Sequence, residues 1–177
     1  AEDLIKKGAA IRSAANNGVA FLWVCGGIQL AGHAYIDSDG NHLPGVGILD
    51  LETYAGDKRL IGNVVAEADF DKYRFPIVGY ENHIGRTMLG SDVRPLAKIV
   101  EGYGNNGTSA EEGAIQQRVI GTYLHGPLLP KNPDLADVLL TWSLEHREGK
   151  KISLEPLTDP YTEAARAVTL RRSNAKR

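Results

Sequence analysis

The sequence predicts one α/β domain spanning residues 1–177, and three observations carry that reading. Short runs rich in β-branched residues recur along the chain, several apolar on both alternations, as strands covered on both faces should be. Helical periodicity marks both ends of the chain. Between them, the apolar run "GVAFLWV" stops on Cys25, the only cysteine, and Gly26 and Gly27 follow at once.

Taken in order, residues 2–16 read as a helix with Leu4, Ile11 and Ala15 near one face. Residues 18–24 read as a buried strand, and residues 27–34 as the helix that leaves it. Further strands are expected at 46–53, 59–68, 75–82, 97–102 and 117–126. The stretch 102–113 is rich in glycine and asparagine and reads as a turn or mobile loop. Asn132-Pro133 and Asp159-Pro160 each offer an N-cap side chain followed by proline at the first helical position. Leu135, Val138, Leu139 and Trp142 then form one apolar stripe, and Tyr161, Ala164, Ala165 and Val168 another.

Composition narrows the function classes. Apolar residues make up 42% and charged residues 24%, ordinary for a soluble globular chain. A formal charge of −2 gives no overall basic field, so nucleic acid is not an expected partner. The basic residues Arg166, Arg171, Arg172, Lys176 and Arg177 read as solvated charge at a helix end. A lone cysteine forms no internal disulfide, and "AEDLIKK" lacks a signal-peptide layout. No apolar run nears the roughly 20 residues of a membrane span. A cytoplasmic protein with no membrane span is the expectation.

A strand ending on a nucleophile and turning sharply into a helix needs small neighbours, which Gly26 and Gly27 supply. The helix that follows points its positive end at the thiol, favouring thiolate, and places the Gly26 N–H to stabilise an oxyanion. A thiolate nucleophile also needs a base. His33 lies on the elbow helix, His42 in a polar turn and His146 among charges near a helix end, which are structural or solvated settings. His125 instead ends the apolar strand "RVIGTYL" and precedes Gly126-Pro127. It therefore shares the carboxyl edge of a sheet with Cys25, where open α/β sheets gather their chemistry. No histidine pair has the spacing of a helical metal site, so no metal is expected.

"CGGIQLAG" (25–32), "GVGILD" (45–50), "YENHIGRT" (80–87), "GYGNN" (102–106) and "GTYLHGPLLPKNP" (121–133) resemble class I glutamine amidotransferases of the cobyric-acid-synthase type. Within that group the likeness is greatest to the glutaminase subunits of lipid II isoglutaminyl synthases. The resemblance implies a flavodoxin-like open sheet flanked by helices. It implies Cys25 as the nucleophile toward the side-chain amide of L-glutamine, His125 as its base and Gly26 as an oxyanion donor. Gln29 matches the family's elbow-helix glutamine and Arg59 its substrate-selecting arginine; a guanidinium there grips a carboxylate bidentately. The resemblance further implies a heterodimer with a Mur-ligase-like synthetase subunit. That partner would amidate the D-glutamate of the lipid II stem peptide and carry ATP and Mg²⁺, with no cofactor in this chain.

Three departures from the family pattern bear on this reading. Trp23 stands where the elbow usually carries glycine, and an indole there would crowd the turn. Pro127 stands where many relatives place the acid that orients the histidine, so Glu81 or a partner carboxylate must serve. Only one helix and one strand precede Cys25, so the chain reads as lacking the family's amino-terminal strands. Two rivals remain open: ammonia supply for corrin amidation, and a catalytically impaired pseudo-amidotransferase acting as a binding module.

Overall fold

A computed structural model describes residues 2–155, 157 and 159–174, without the side chains of Thr169 and residues 171–174. Its elements run α1 (Glu2–Lys6), α2 (Gly8–Asn16), β1 (Phe21–Val24), α3 (Gly26–Ala31), β2 (Ala34–Ile36) and β3 (His42–Pro44). Then follow β4 (Leu51–Phe70), β5 (Tyr73–Leu89), β6 (Ala97–Glu101), β7 (Glu111–Glu112), β8 (Ala114–Gln116) and β9 (Val119–Thr122). The described chain closes with α4 (Leu128–Lys131), α5 (Pro133–Glu148) and α6 (Pro160–Asn174).

The strands form two sheets. The smaller is ordered β1-β9-β8, with β1 parallel to β9. The larger runs β3-β2-β4-β6-β7, with β5 paired to β4. Among the described residues parallel pairing is confined to β1–β9 and β2–β4; the other pairings are antiparallel. β9 is buried at every residue, as its apolar double alternation requires. β4 and β5 instead alternate along most of their length, because their ribbon packs on one face only.

Two backbone bridges join the sheets, Tyr80 to His125 and Arg94 to Ile115. One core lies under α4 and α5, where Phe70, Ile77, Leu96, Ile120, Leu124, Leu135, Val138 and Trp142 pack together. A second gathers Ile28, Ala31, Leu49, Leu51, Val119 and Tyr123 beneath α3. Burying each large aliphatic or aromatic side chain contributes about 1.5–3 kcal/mol, so these clusters fix where α3 and α5 sit.

Several sequence expectations need correction. Residues 46–50 are not strand; β4 begins only at Leu51. The 102–113 segment is pinned, because buried Asn105 exchanges side-chain hydrogen bonds with Gly113 in both directions at 2.8 Å. Asn132 does not cap α5 with its side chain. Its amide is buried and spent elsewhere: Oδ1 accepts from Val78 N–H, and Nδ2 donates to the Val78 and Leu128 carbonyls, each at 2.8 Å.

Asp159 does cap α6, accepting from the Tyr161 and Thr162 amides. The apolar stripe of α6 nevertheless faces solvent: Tyr161 is 86% and Val168 41% exposed. The helix is held instead by Arg166, whose guanidinium reaches Asp134 at 2.7 Å and the Pro76 carbonyl. Of the other basic residues noted above, Lys176, Arg177 and the side chains of Arg171 and Arg172 lie outside the described residues.

Candidate active site

Cys25 sits between β1 and α3 with φ 55° and ψ −111°, a positive φ that L side chains rarely adopt. The turn is therefore as sharp as a nucleophile elbow demands. Three local contacts hold it there. The Cys25 N–H donates to the Thr122 carbonyl at 2.8 Å, extending the β1–β9 ladder by one residue. The Cys25 carbonyl accepts from Ile28 at 3.1 Å, closing the first turn of α3. Gly121 on β9 completes the fit, since a Cβ there would lie 2.6 Å from Ile28 Cγ1. Gly26 opens α3 and is exposed, and a helix leaves its first-turn amides without an internal partner.

Trp23 does not flatten the elbow. Its ring lies along β1, stacked on Phe21 at 6.2 Å between centroids, and even a Cβ on Gly27 would lie at an ordinary 3.5 Å from its Cβ. The crowding expected from the indole is thus relieved along the strand face.

His125 follows Thr122 by three residues, past the carboxyl end of β9. Its N–H donates to the Tyr80 carbonyl at 2.7 Å, tying it to β5. Its Nε2 is buried without a hydrogen-bond partner among the described residues. Cys25 and His125 are thus both carried just beyond the ends of adjacent parallel strands, Val24 lying opposite Thr122. The other histidines named from sequence lie elsewhere. His33 pairs with Asp50 at 3.0 Å, and His42 and His146 are exposed.

Glu81 is fully buried, but its carboxylate is occupied. Oε1 accepts from the Tyr103 amide at 2.7 Å and Oε2 from the Gly104 amide at 2.9 Å, with His83 Nε2 3.5 Å away. No hydrogen bond joins Glu81 to His125 among the described residues. Its observed role is to fasten the Gly102–Gly104 turn under β5.

Arg59 lies where β4 bulges between Ala55 and Leu60, and its Nη1 donates to Asn82 Oδ1 at 2.9 Å. Arg86 braces that bulge by donating to the Lys58 carbonyl at 2.8 Å. Asn82 is two residues from Tyr80, about 7 Å along a strand, so Arg59 and His125 attach to the same stretch of β5. Gln29 lies four residues past Cys25, within α3, and its Nε2 donates to the Tyr123 hydroxyl at 3.3 Å.

Beneath these groups lies a buried polar layer that the sequence reading missed. Glu112 Oε1 accepts from the Thr122 hydroxyl at 2.5 Å and the Tyr123 amide at 3.0 Å, while its Oε2 has no partner among the described residues. Burial pushes its carboxyl up to about 7, against the pull of those two donors. The His83 ring stacks on Tyr123 at 3.7 Å, and His83 Nδ1 lies 2.9 Å from the Gly85 carbonyl, which fixes the proton on that nitrogen. The signal was present in the alternation: Thr53, Glu81, His83, Thr87 and Glu112 all occupy inward-facing strand positions. Among the described residues no group of three or more His, Cys, Asp or Glu is placed to hold a metal ion. No helix is long and apolar enough to cross a membrane, again among the described residues.

The CobB/CobQ-like glutamine amidotransferase domain matches residues 1–133. The chain is 38% identical over 176 residues to the lipid II isoglutaminyl synthase (glutamine-hydrolyzing) subunit GatD of Staphylococcus aureus, covering 99% of this chain and 70% of that protein. It is 37% identical over 161 residues to the subunit of the same name from Streptococcus pneumoniae, covering 90% of this chain and 61% of that one. Among solved structures, a glutamine amidotransferase superposes with a TM-score of 0.52 at 17% identity, covering 77% of this chain and 67% of its own. That likeness bears on the fold, and it agrees with sheets flanked by helices. An elbow cysteine, a histidine at the neighbouring strand end and the match over residues 1–133 lead to one conclusion: the chain belongs to the CobB/CobQ-like glutamine amidotransferase family.

Proposed function

We propose that this chain hydrolyses L-glutamine and passes the ammonia to an ATP-dependent, Mur-ligase-like partner that amidates the D-glutamate of the lipid II stem peptide. The observation that carries the reading is Cys25 held at positive φ on a sharp strand-to-helix turn, with His125 at the end of the adjoining parallel strand. Backbone strain of about 1–3 kcal/mol persists where surrounding contacts impose it, and such positions concentrate at reactive sites. The choice of acceptor rests on the likeness to the two subunits named above.

In this mechanism the Cys25 thiolate attacks the side-chain amide carbon of glutamine. The Gly26 N–H stabilises the oxyanion, and His125 gives its proton to the departing nitrogen. Ammonia leaves and a γ-glutamyl thioester remains. Water, deprotonated by His125, then cleaves the thioester to glutamate and restores the thiol. Arg59 holds the substrate α-carboxylate, and Gln29 lines the same site. ATP and Mg²⁺ act on the partner.

An imidazole with no acid to orient it is a poor base. The Glu81 oxygens are committed to the Tyr103 and Gly104 amides, which favours a carboxylate from the partner as the third member. A site completed only in the complex also restrains wasteful glutamine hydrolysis.

Cys25→Ala tests the reading in the heterodimer. Glutamine-dependent amidation should fall by more than a hundredfold while amidation supported by added ammonium salt persists. Retention of glutamine-dependent activity would remove Cys25 as the nucleophile. Covalent labelling by diazo-oxo-norleucine adds a second readout, because a binding module without an activated thiolate is not labelled.

A further inference from the structure

We infer that Tyr123 is a positioning residue for substrate binding. Its hydroxyl fixes the side-chain amide of Gln29, one helical turn past Cys25, so that the amide oxygen stays free to accept from the α-ammonium of an amino-acid substrate. The inference rests on the glutaminase reading above and deepens it.

The geometry is a continuous chain of hydrogen bonds. Gln29 Nε2 donates to Tyr123 Oη at 3.3 Å. The Tyr123 hydroxyl also shares a hydrogen bond with Thr87 Oγ1, 2.6 Å away, in which either oxygen can donate. Thr87 Oγ1 in turn pairs with Thr53 Oγ1 at 2.8 Å. Tyr123, Thr87 and Thr53 are fully buried, so water cannot take over any of these links. The Tyr123 ring is itself immobilised by the stacked His83 imidazole.

In this structure the Gln29 amide turns its nitrogen to the Tyr123 hydroxyl. With Nε2 committed to Tyr123, the oxygen of the half-buried Gln29 side chain has no protein partner among the described residues. An oxygen acceptor suits an ammonium group and an NH₂ donor does not. Space reinforces the choice: a Cβ on Gly85 would lie 2.6 Å from Gln29 Nε2 and 2.7 Å from Thr53 Cγ2. Gly85 therefore leaves the amide one slot, walled by Tyr123 and Thr53.

The test compares Tyr123→Phe, Gln29→Ala and the double variant in the heterodimer. Losing one neutral hydrogen bond, about 0.5–1.5 kcal/mol, should raise the KM for glutamine roughly threefold to tenfold and leave kcat within about twofold. In the Gln29→Ala background Tyr123→Phe should add nothing, because the two act as one unit. Thr87→Val should reproduce the KM change, and Thr87→Ser, which keeps the hydroxyl, should not. For glutaramic acid, which is glutamine without its α-amine, Tyr123→Phe should carry no KM penalty.

An unchanged KM for glutamine in Tyr123→Phe would overturn the inference. So would an equal penalty with glutaramic acid, or an additive effect with Gln29→Ala. Failure of the underlying reading looks different: Cys25→Ala stays active with glutamine, whatever the KM of these variants. Binding of glutamine to Cys25→Ala, measured by calorimetry, closes the remaining gap. If the wild-type protein neither hydrolyses nor binds glutamine, both claims fall.

Discussion

Replacing Asn132 with alanine should destabilise the protein by about 3–5 kcal/mol, far more than the loss of a helix cap. The side chain is fully buried and makes three hydrogen bonds of 2.8 Å to backbone groups: Val78 N–H, the Val78 carbonyl and the Leu128 carbonyl. Removing it leaves those groups without a partner in the interior, and each orphaned buried group costs about 1–3 kcal/mol. The sum approaches the largest losses known for single substitutions. Urea denaturation reads the effect directly: with a slope of about 2 kcal/mol per molar, the midpoint should fall by roughly 2 M at unchanged slope. Asn132→Asp sharpens the test. Its carboxylate keeps the acceptor for Val78 N–H but sets negative oxygens against two carbonyls. The folded state then favours the protonated acid, so this variant should lose stability as pH rises from about 4 to 7, relative to Asn132→Ala. An alanine loss below about 1 kcal/mol, or an aspartate variant that gains stability with pH, would refute this account of the clamp.

Other outcomes follow from the same geometry. Glu112 has its carboxyl pushed up to about 7, so the folded protein holds a proton there that the unfolded chain has already released above about 4.5. Stability should therefore decline between about pH 4.5 and 7 and level off above, and Glu112→Gln should flatten that segment in pH-dependent urea titrations. Arg59→Ala should raise the KM for glutamine at least tenfold in coupled glutaminase assays while ammonium-supported amidation stays unchanged. Glutamine hydrolysis by the isolated chain should rise at least tenfold on adding the partner, and alanine substitution of one interface carboxylate on the partner should abolish that rise.

The elements that could be read from sequence are those whose signal is local. The elbow is written in Val24-Cys25-Gly26-Gly27, the α5 stripe in Leu135, Val138 and Trp142, and the α6 cap in Asp159-Pro160. What escaped depends on partners distant in the chain. Asn132 looks like an N-cap until Val78, 54 residues away, claims its amide. Glu81 looks free to orient His125 until the Tyr103 and Gly104 amides claim both its oxygens. The α6 stripe has proper helical spacing, yet periodicity cannot say whether anything lies opposite it; there Arg166 carries the anchoring contacts instead. His83 and Tyr123 escaped for another reason. Their roles come from stacking and a hydroxyl chain across β4, β5 and the residue that follows β9, a juxtaposition that no spacing encodes.

The bridge between Tyr80 and His125 gives the site a mechanical character. Cys25 is bonded through its amide into the small sheet, whereas His125 is stitched by its amide to the large one. The small and large sheets are two plates, and His125, which follows β9 of the one, is also stitched to β5 of the other at their seam. Rotation of one plate against the other would act on the His125 backbone at that seam. The long β4–β5 ribbon, paired from Leu51–Leu89 out to Phe70–Tyr73, acts as the handle of the larger plate. Tuning such a site calls for stiffening or slackening the seam, and substitutions at Arg94 or Ile115, its second stitch, should shift turnover from outside the reacting groups.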